Sequence, residues 1–255
     1  MGLTLTVVIP VYNSERTIGP LVGQLQTALQ AESFEVVLVN DGSHDGSATV
    51  CQGLARQFDT VRFVNLSRNF GEFNAVLCGL NYSRGNFTAI IDDDFQNPPE
   101  AILTLLNTAR SGGFDVVYSR YARKKHNWFR NAGSALLNYL TTFTLGKPRG
   151  LYLSSFKLIS RAIVTEVIRY RGPHPYIDAL IFGATRNVTS VLVPHHARAE
   201  GQSNYTIWKL VVLFFRILFG DSINRISANR QPPFLVDEDG SILKIERGDA
   251  KAQRG

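Results

Sequence analysis

Apolar residues in the first half of the chain follow two alternating rhythms. Short β-branched runs without polar interruption, "LTLTVVIP", "FEVVLVN", "VRFVNL", "FTAIID" and "FDVVYSR", predict strands buried on both faces. Between them apolar positions recur at helical spacing. Ile18, Leu21, Val22, Leu25 and Leu29 mark a first helix; Cys51, Leu54, Ala55 and Phe58 a second; Phe73, Val76, Leu77 and Leu80 a third. A fourth is predicted to begin near "PPEAI", where proline suits the first turn. This alternation predicts an α/β fold with a mostly parallel sheet covered by helices.

Beyond residue 126 the rhythm changes. "NWFRNAGSALLNYLTTFTLG" reads as a helix with Phe129, Leu136, Leu137, Leu140 and Phe143 on one stripe, and "YLSSFKLIS" and "VTSVLVPHH" read as strands. "YTIWKLVVLFFRILFG" is an amphipathic helix carrying Ile207, Val211, Phe214, Phe215 and Leu218, interrupted by Lys209 and Arg216. It is too short and too charged to span a bilayer, but suits a helix lying on lipid, or equally a core or oligomer contact. From about Ala228 the chain is polar and is expected to be a loose tail. No internal repeat, leader-like block or uninterrupted spanning segment is read. "MGLTLT" fits a minimal myristoylation pattern but is better explained as the start of a buried strand.

Composition narrows the partners only slightly. The 255 residues carry a net charge of +6, which favours an anionic partner: nucleic acid, a phosphorylated substrate or an anionic membrane face. Cys51 and Cys78, the two cysteines, sit in helical apolar patterns and are expected to be buried thiols.

The chemistry gathers at the predicted carboxyl ends of strands, where open parallel sheets bind ligands: "PVYNSE", "NDGSHDGS" and "DDDFQ". Asp92, Asp93 and Asp94 follow an apolar run directly, where mutual repulsion makes them costly. An Asp-x-Asp pair there suits a hard divalent cation that shares phosphate oxygens; a solvated acidic turn is the plainer alternative. If the strand continues, Asp92 and Asp94 point one way and Asp93 the other. Asp41 leaves a buried strand beside Gly42, fitting a contact to ribose or base, or else a turn capped by Ser43 or Asp45.

In order and spacing, "VVIPVYNSE", "VLVNDGSHDGS", "LSRNFGEFNAVLCGL" and "IIDDDFQNPPE" resemble family 2 glycosyltransferases of the GT-A fold. Within these they resemble the branch of dolichyl-phosphate mannose synthase and bacterial polyprenyl-phosphate glycosyltransferases, over roughly residues 4–206. The resemblance implies that Pro10, Tyr12, Glu15 and Asp41 line the nucleoside, with Arg68 and Asn69 near the donor. Ser14 stands where this branch often has Glu. It implies that Asp92 and Asp93 border the nucleoside, and that Asp94 and Gln96 hold Mg2+ or Mn2+ against the diphosphate. Arg120, Arg130 and Ser134 match the acceptor-phosphate residues, with Arg130 and Ser134 one helical turn apart. Lys124 and Lys125 read as a solvated surface. "RAEGQSNY" resembles a further segment of the branch, in which Arg198 would stabilise the leaving diphosphate and Ser203 and Tyr205 order a loop. Asn204 replaces its usual Lys.

The implied organisation is a GT-A domain over 1–227. It comprises a nucleotide-sugar half (1–120), an acceptor half (121–205) and an interfacial helix (206–220), followed by the 228–255 tail. The expected activity is metal-dependent, inverting transfer of a sugar from a UDP-, GDP- or dTDP-type donor to an undecaprenyl or dolichyl phosphate. A lipid phosphate is already anionic and needs no general base. Transfer to a glycan hydroxyl in cell-surface polysaccharide synthesis would need one, and Asp178 is the available nominee; a non-catalytic nucleotide-sugar-binding module is the other alternative. The expected location is cytoplasmic, peripheral to the membrane face, with a homo-oligomer or an integral membrane protein as companion and no nucleic acid.

Overall fold

The computed structural model describes residues 2–121, 147–148, 150–172, 175–194 and 234–242. The predicted helices around Phe129–Phe143 and over 206–220 lie outside the described residues, as do Arg123, Lys124, Lys125, Arg130, Ser134, His195, His196, Arg198, Ser203, Asn204 and Tyr205.

Strands β1 (Leu5–Val11), β2 (Phe34–Asn40), β3 (Val61–Leu66), β4 (Phe87–Ile90), β5 (Val116–Tyr121), β6 (Lys157–Ser160), β7 (Val188–Val193) and β8 (Val236–Ile242) form one eight-stranded sheet. Their order is β7-β5-β6-β4-β1-β2-β3-β8. Strands β1, β2, β3 and β4 pair in parallel, as do β5 and β7, while β6 and β8 run against their neighbours. The first four strands therefore empty at the same edge, and β5 shares their direction because β6 reverses twice. Tight turns between β1 and β4 are unavailable to parallel neighbours. The chain crosses back instead through α1 (Ile18–Ala28), α2 (Ser47–Gln57) and α3 (Glu72–Tyr82).

Period-two alternation sorts the strands' apolar side chains between two layers. Leu5, Val7, Ile9 and Val11 of β1, with Val36 and Leu38 of β2, pack against α1, α2 and α4 (Ala101–Gly112). Val8, Val37 and Val39 face the other way, onto Ala75 and Cys78 of α3. A neighbouring cluster joins α3 to α5 (Arg161–Val167) and α6 (Ile177–Ala184) through Leu77, Leu80, Ile163, Val164 and Ile181. Helix α3 is thus buried from Asn74 to Leu80 rather than along one stripe. Cys51 and Cys78 are buried free thiols, as their patterns predicted.

Two expectations are corrected. Part of the polar tail expected from 228 onward is ordered: β8 pairs antiparallel with β3, because "LVDEDGSI" keeps apolar ends that cover an otherwise open sheet edge. And β4 stops at Ile90, so the alternation assumed through Asp94 does not hold; residues 93–97 bend sharply, with Phe95 at φ 61.

The opposite end of the sheet is locked by a buried ion cluster. Glu35 is 2% exposed and accepts hydrogen bonds from Thr6 Oγ1 (2.8 Å), the Arg84 N–H (2.9 Å) and Arg84 Nε (2.9 Å), with Arg62 Nη1 at 3.5 Å. Substituting Glu35→Ala leaves the buried Arg62 without its counter-ion and should cost about 3 kcal/mol. Urea unfolding reads this, and an unchanged midpoint would refute it.

Candidate active site

Loops leaving β1, β2, β3 and β4 close on one another at the shared strand edge. Asn13, in the left-handed region at φ 55, donates its N–H to Ser43 Oγ (3.0 Å) and accepts the His44 N–H on Oδ1 (2.8 Å). The Ser14 N–H donates to Ser47 Oγ at 2.7 Å, and the Ser14 hydroxyl donates to Asp93. Glu15 accepts the Gly46 N–H on Oε2 at 2.6 Å, just ahead of α2. One oxygen of its exposed carboxylate thus ties the first two loops together. Tyr12 stays 40% exposed, its ring edge-on to His44 at 6.3 Å.

Asp41 is buried, and both its oxygens are occupied: Oδ1 accepts the Phe70 N–H (2.7 Å) and Oδ2 the Gly71 N–H (2.9 Å). Burial raises the carboxyl above its ordinary range, against the lowering pull of these two donors. Asp41 thus shapes the "SRNFG" loop from behind. Gly42 has to be glycine here. Its φ is 64°, and a Cβ would lie 2.4 Å from Asn69 N and 2.5 Å from the Arg68 carbonyl carbon. Arg68 and Asn69 are exposed on that loop, with the Arg68 guanidinium 4.7 Å from the centre of the Phe70 ring. Pro10, half-buried, precedes the last residue of β1.

The three aspartates follow β4, all half-buried. Ser155 Oγ donates to Asp92 at 2.5 Å and Ser14 to Asp93, so the first two carboxylates are held from opposite sides. Asp94 Oδ1 accepts the Gln96 N–H at 3.1 Å, closing a bend over residues 93–97. Asn97 anchors that bend by accepting Tyr121 Oη at 2.8 Å. Desolvation, then the charges of Asp92 and Asp94, raise Asp93 from 3.8 to about 6, although the Ser14 hydroxyl and Tyr12 backbone pull it down. Glu72, at the start of α3, is raised to about 7, first by desolvation and next by the charge of Asp92. Lys157 opposes that rise.

Among the described residues, no three His, Cys, Asp or Glu side chains stand together as a closed metal cage. The surplus negative charge, borne by hard carboxylate oxygens, is nevertheless what a divalent cation completed by phosphate oxygens would neutralise, so the residues present fit one.

Arg120 is exposed near the end of β5, opposite Leu192 of β7. Asp178 is buried; it accepts Tyr118 Oη at 2.9 Å and pairs with the Lys157 ammonium, itself 5.1 Å from the Tyr118 ring centre. Ser14, Ser155, Asn97, Glu72 and Lys157 join the site without having been singled out as site residues in the sequence. Of these, Ser14, Glu72 and Asn97 lie inside the motifs that could have signalled them, whereas Ser155 and Lys157 lie in none.

Asp93 and Glu72 hold their protons more tightly folded than unfolded. Their contribution to stability therefore declines as pH rises, from 3.8 to about 6 for Asp93 and from 4.5 to about 7 for Glu72. In EDTA, Asp93→Asn should raise Tm over the parent by an amount near zero at about pH 4 and growing through about pH 6. A pH-independent difference in thermal denaturation would show that Asp93 is not the raised carboxyl.

Comparison with known proteins agrees with this arrangement. The chain is 33% identical over 217 residues to the undecaprenyl-phosphate 4-deoxy-4-formamido-L-arabinose transferase of Proteus mirabilis, covering 84% of this chain and 66% of that protein. It is 35% identical to the protein of that name from Pseudomonas aeruginosa PAO1, covering 84% and 64%. The chain thus spans just under two thirds of these relatives' length. Glucosyl-3-phosphoglycerate synthase from Mycobacterium tuberculosis, solved with Mn2+, UDP-glucose and phosphoglyceric acid, superposes with a TM-score of 0.61 at 21% identity, over 85% of this chain and 78% of that one. That likeness places the sheet and its helices in the GT-A fold. The family model for glycosyl transferase family 2 matches residues 6–168, a span running from β1 through α5 and including every loop of the crevice, and the chain belongs to that family.

Proposed function

We propose that the crevice transfers a sugar from a nucleoside-diphosphate donor to the phosphate of a polyprenol at a membrane surface, on its cytoplasmic face. The observation that carries this reading is the cluster of Asp92, Asp93 and Asp94 at the end of β4, framed by the loops of β1, β2 and β3, with Asp93 pushed up first by desolvation and next by its acidic neighbours. The names of the 33–35% identical relatives supply the acceptor class, undecaprenyl phosphate.

Tyr12, exposed beside His44, with Arg68 and Asn69 across the mouth, would hold the nucleoside and its diphosphate. Glu15 and Asp41 support those loops from behind, and Pro10, Asp92 and Asp93 complete the donor wall. Asp94 and Gln96 would hold Mg2+ or Mn2+, whose positive charge stabilises the departing diphosphate, as Arg198 would from its own loop. Arg120, Arg130 and Ser134 would grip the acceptor phosphate, the arginines as bidentate forks. The acceptor's anionic oxygen then attacks the anomeric carbon as the bond to the diphosphate oxygen breaks, inverting the configuration. Positioning the two phosphates against each other supplies much of the rate. This step needs no general base, which suits a site whose nominated base, Asp178, is buried against Lys157 and Tyr118. Residues 206–220 would rest on the lipid surface from which the acceptor is drawn. Among the described residues, no helix is long and apolar enough to cross a membrane.

Incubation with Mn2+, UDP-, GDP- or dTDP-sugars and undecaprenyl phosphate should give sugar-phospholipid, with little product from free glycan acceptors. Asp94→Ala should lower turnover about a thousandfold while the protein stays folded. Turnover by Asp94→Ala within about twofold of the parent, or preference for a glycan hydroxyl, would overturn the reading.

A further inference from the structure

Strand β8 lies beyond the 6–168 span of the family model, yet it reaches the nucleotide side of the crevice through a one-way relay of hydrogen bonds. The Ser43 N–H donates to Asn40 Oδ1 at 3.3 Å, Asn40 Nδ2 to Asn65 Oδ1 at 2.8 Å, and Asn65 Nδ2 to Asp237 Oδ2 at 3.0 Å. Every donor points towards β8 and the last acceptor is a charge, so each amide polarises the next in the same sense. Ser43 in turn accepts the Asn13 N–H at 3.0 Å. The relay therefore reaches both loops that close beside Asp93.

The local build of β8 serves this contact. A Cβ on Gly240 would fall 2.3 Å from Asp237 Oδ2 and 3.0 Å from Asn65 Nδ2, so a side chain there would displace the carboxylate. The β3–β8 pairing slips between Phe63 and Asn65, and the Asn65 N–H turns to Ser241 Oγ at 2.9 Å. Gln52 of α2 donates to the Gly240 carbonyl at 3.0 Å. Covering a sheet edge requires only the backbone ladder and the apolar ends of β8. It does not require two asparagine amides aligned on one carboxylate, the first of them, Asn40, 3% exposed.

We propose that Asp237 is a positioning residue for the donor, a role that rests on the donor-binding reading above. It fixes the Asn40 side chain, and through it the 41–46 loop, in the shape that receives the nucleoside. The test uses the full chain, with UDP, GDP and dTDP as probes in the presence of Mn2+, measured by calorimetry. For whichever nucleotide the parent binds, Asp237→Ala and Gly240→Ala should raise Kd about fivefold, the size of one net hydrogen bond. Asp237→Asn keeps an acceptor oxygen and should stay within about twofold of the parent. In turnover, donor KM should rise in Asp237→Ala while kcat at saturating donor and the acceptor KM hold. Without any ligand, amide hydrogen exchange across residues 41–46 should be faster in Asp237→Ala than in the parent. A folded Asp237→Ala with parental Kd and parental exchange overturns the inference alone. A parent that binds none of the three nucleotides overturns the donor-binding reading and this inference with it.

Discussion

A parallel strand buried on both faces has only its ends available for polar chemistry. In β1, β2 and β4 the interior side chains are buried and mostly apolar, with polar Thr6, Glu35 and Thr88 only near the far end, and the parallel pairing makes these strands stop at a common edge. Loops that would otherwise be unrelated segments are forced side by side there. Most of what surrounds the crevice is a consequence: Asn13 meeting Ser43, Ser14 meeting Asp93, and Asp41 gathering the Phe70 and Gly71 amides. The sheet sets where the chemistry stands, and the loops only refine it.

Within that frame the carboxylates of Asp92, Asp93 and Asp94 carry a cost of burial and mutual repulsion, visible in the rise of Asp93 to about 6, first through desolvation and next through its acidic neighbours. Serines on both sides lower the cost for Asp92 and Asp93, and Asp94 closes the bend at Phe95 by accepting the Gln96 N–H. Locally, the arrangement is less stable than an amide-substituted version would be. Functional sites commonly keep such destabilising charge, because the ligand that relieves it is then bound more tightly than it would be by a neutral site. The two ends of the sheet differ in this respect. Glu35, at the far end, is compensated by arginines already in the fold, whereas the β4 end carries its charge towards the crevice.

Much of this was legible in the linear chain. The β-branched runs mark β1 to β5 within a few residues, because strands covered on both faces must be apolar throughout. "DDDFQNPPE" marks the end of β4 because three acids have no place within such a strand. The loop motifs identify the crevice as a set. Less legible were the roles inside it. Asp41, which the motifs imply lies beside the nucleoside, gives both carboxylate oxygens to the Phe70 and Gly71 amides, and Glu15 gives one of its oxygens to the Gly46 amide. No local signal distinguishes a carboxylate facing a ligand from one facing its own scaffold, since both need an acid at a strand end. Ser155 and Lys157 were invisible as site residues for a different reason: they arrive from a reversed strand and the turn before it, far along the chain.

What the residues determine by themselves is therefore the alternation of strands and helices, the sheet's buried character, and which segments carry polar chemistry. These depend on periodicity and on side-chain polarity, both local properties. The tertiary structure alone decides the partners. It puts Ser14 on Asp93, gives Asp178 to Lys157 and Tyr118, and recruits part of a polar tail as β8 to finish a chain of amides begun at Ser43. Such pairings span up to 188 residues of sequence, as between Gln52 and the Gly240 carbonyl. They exist because packing a single sheet brings distant loop ends within hydrogen-bonding reach, and neither residue of a pair carries any mark of the other.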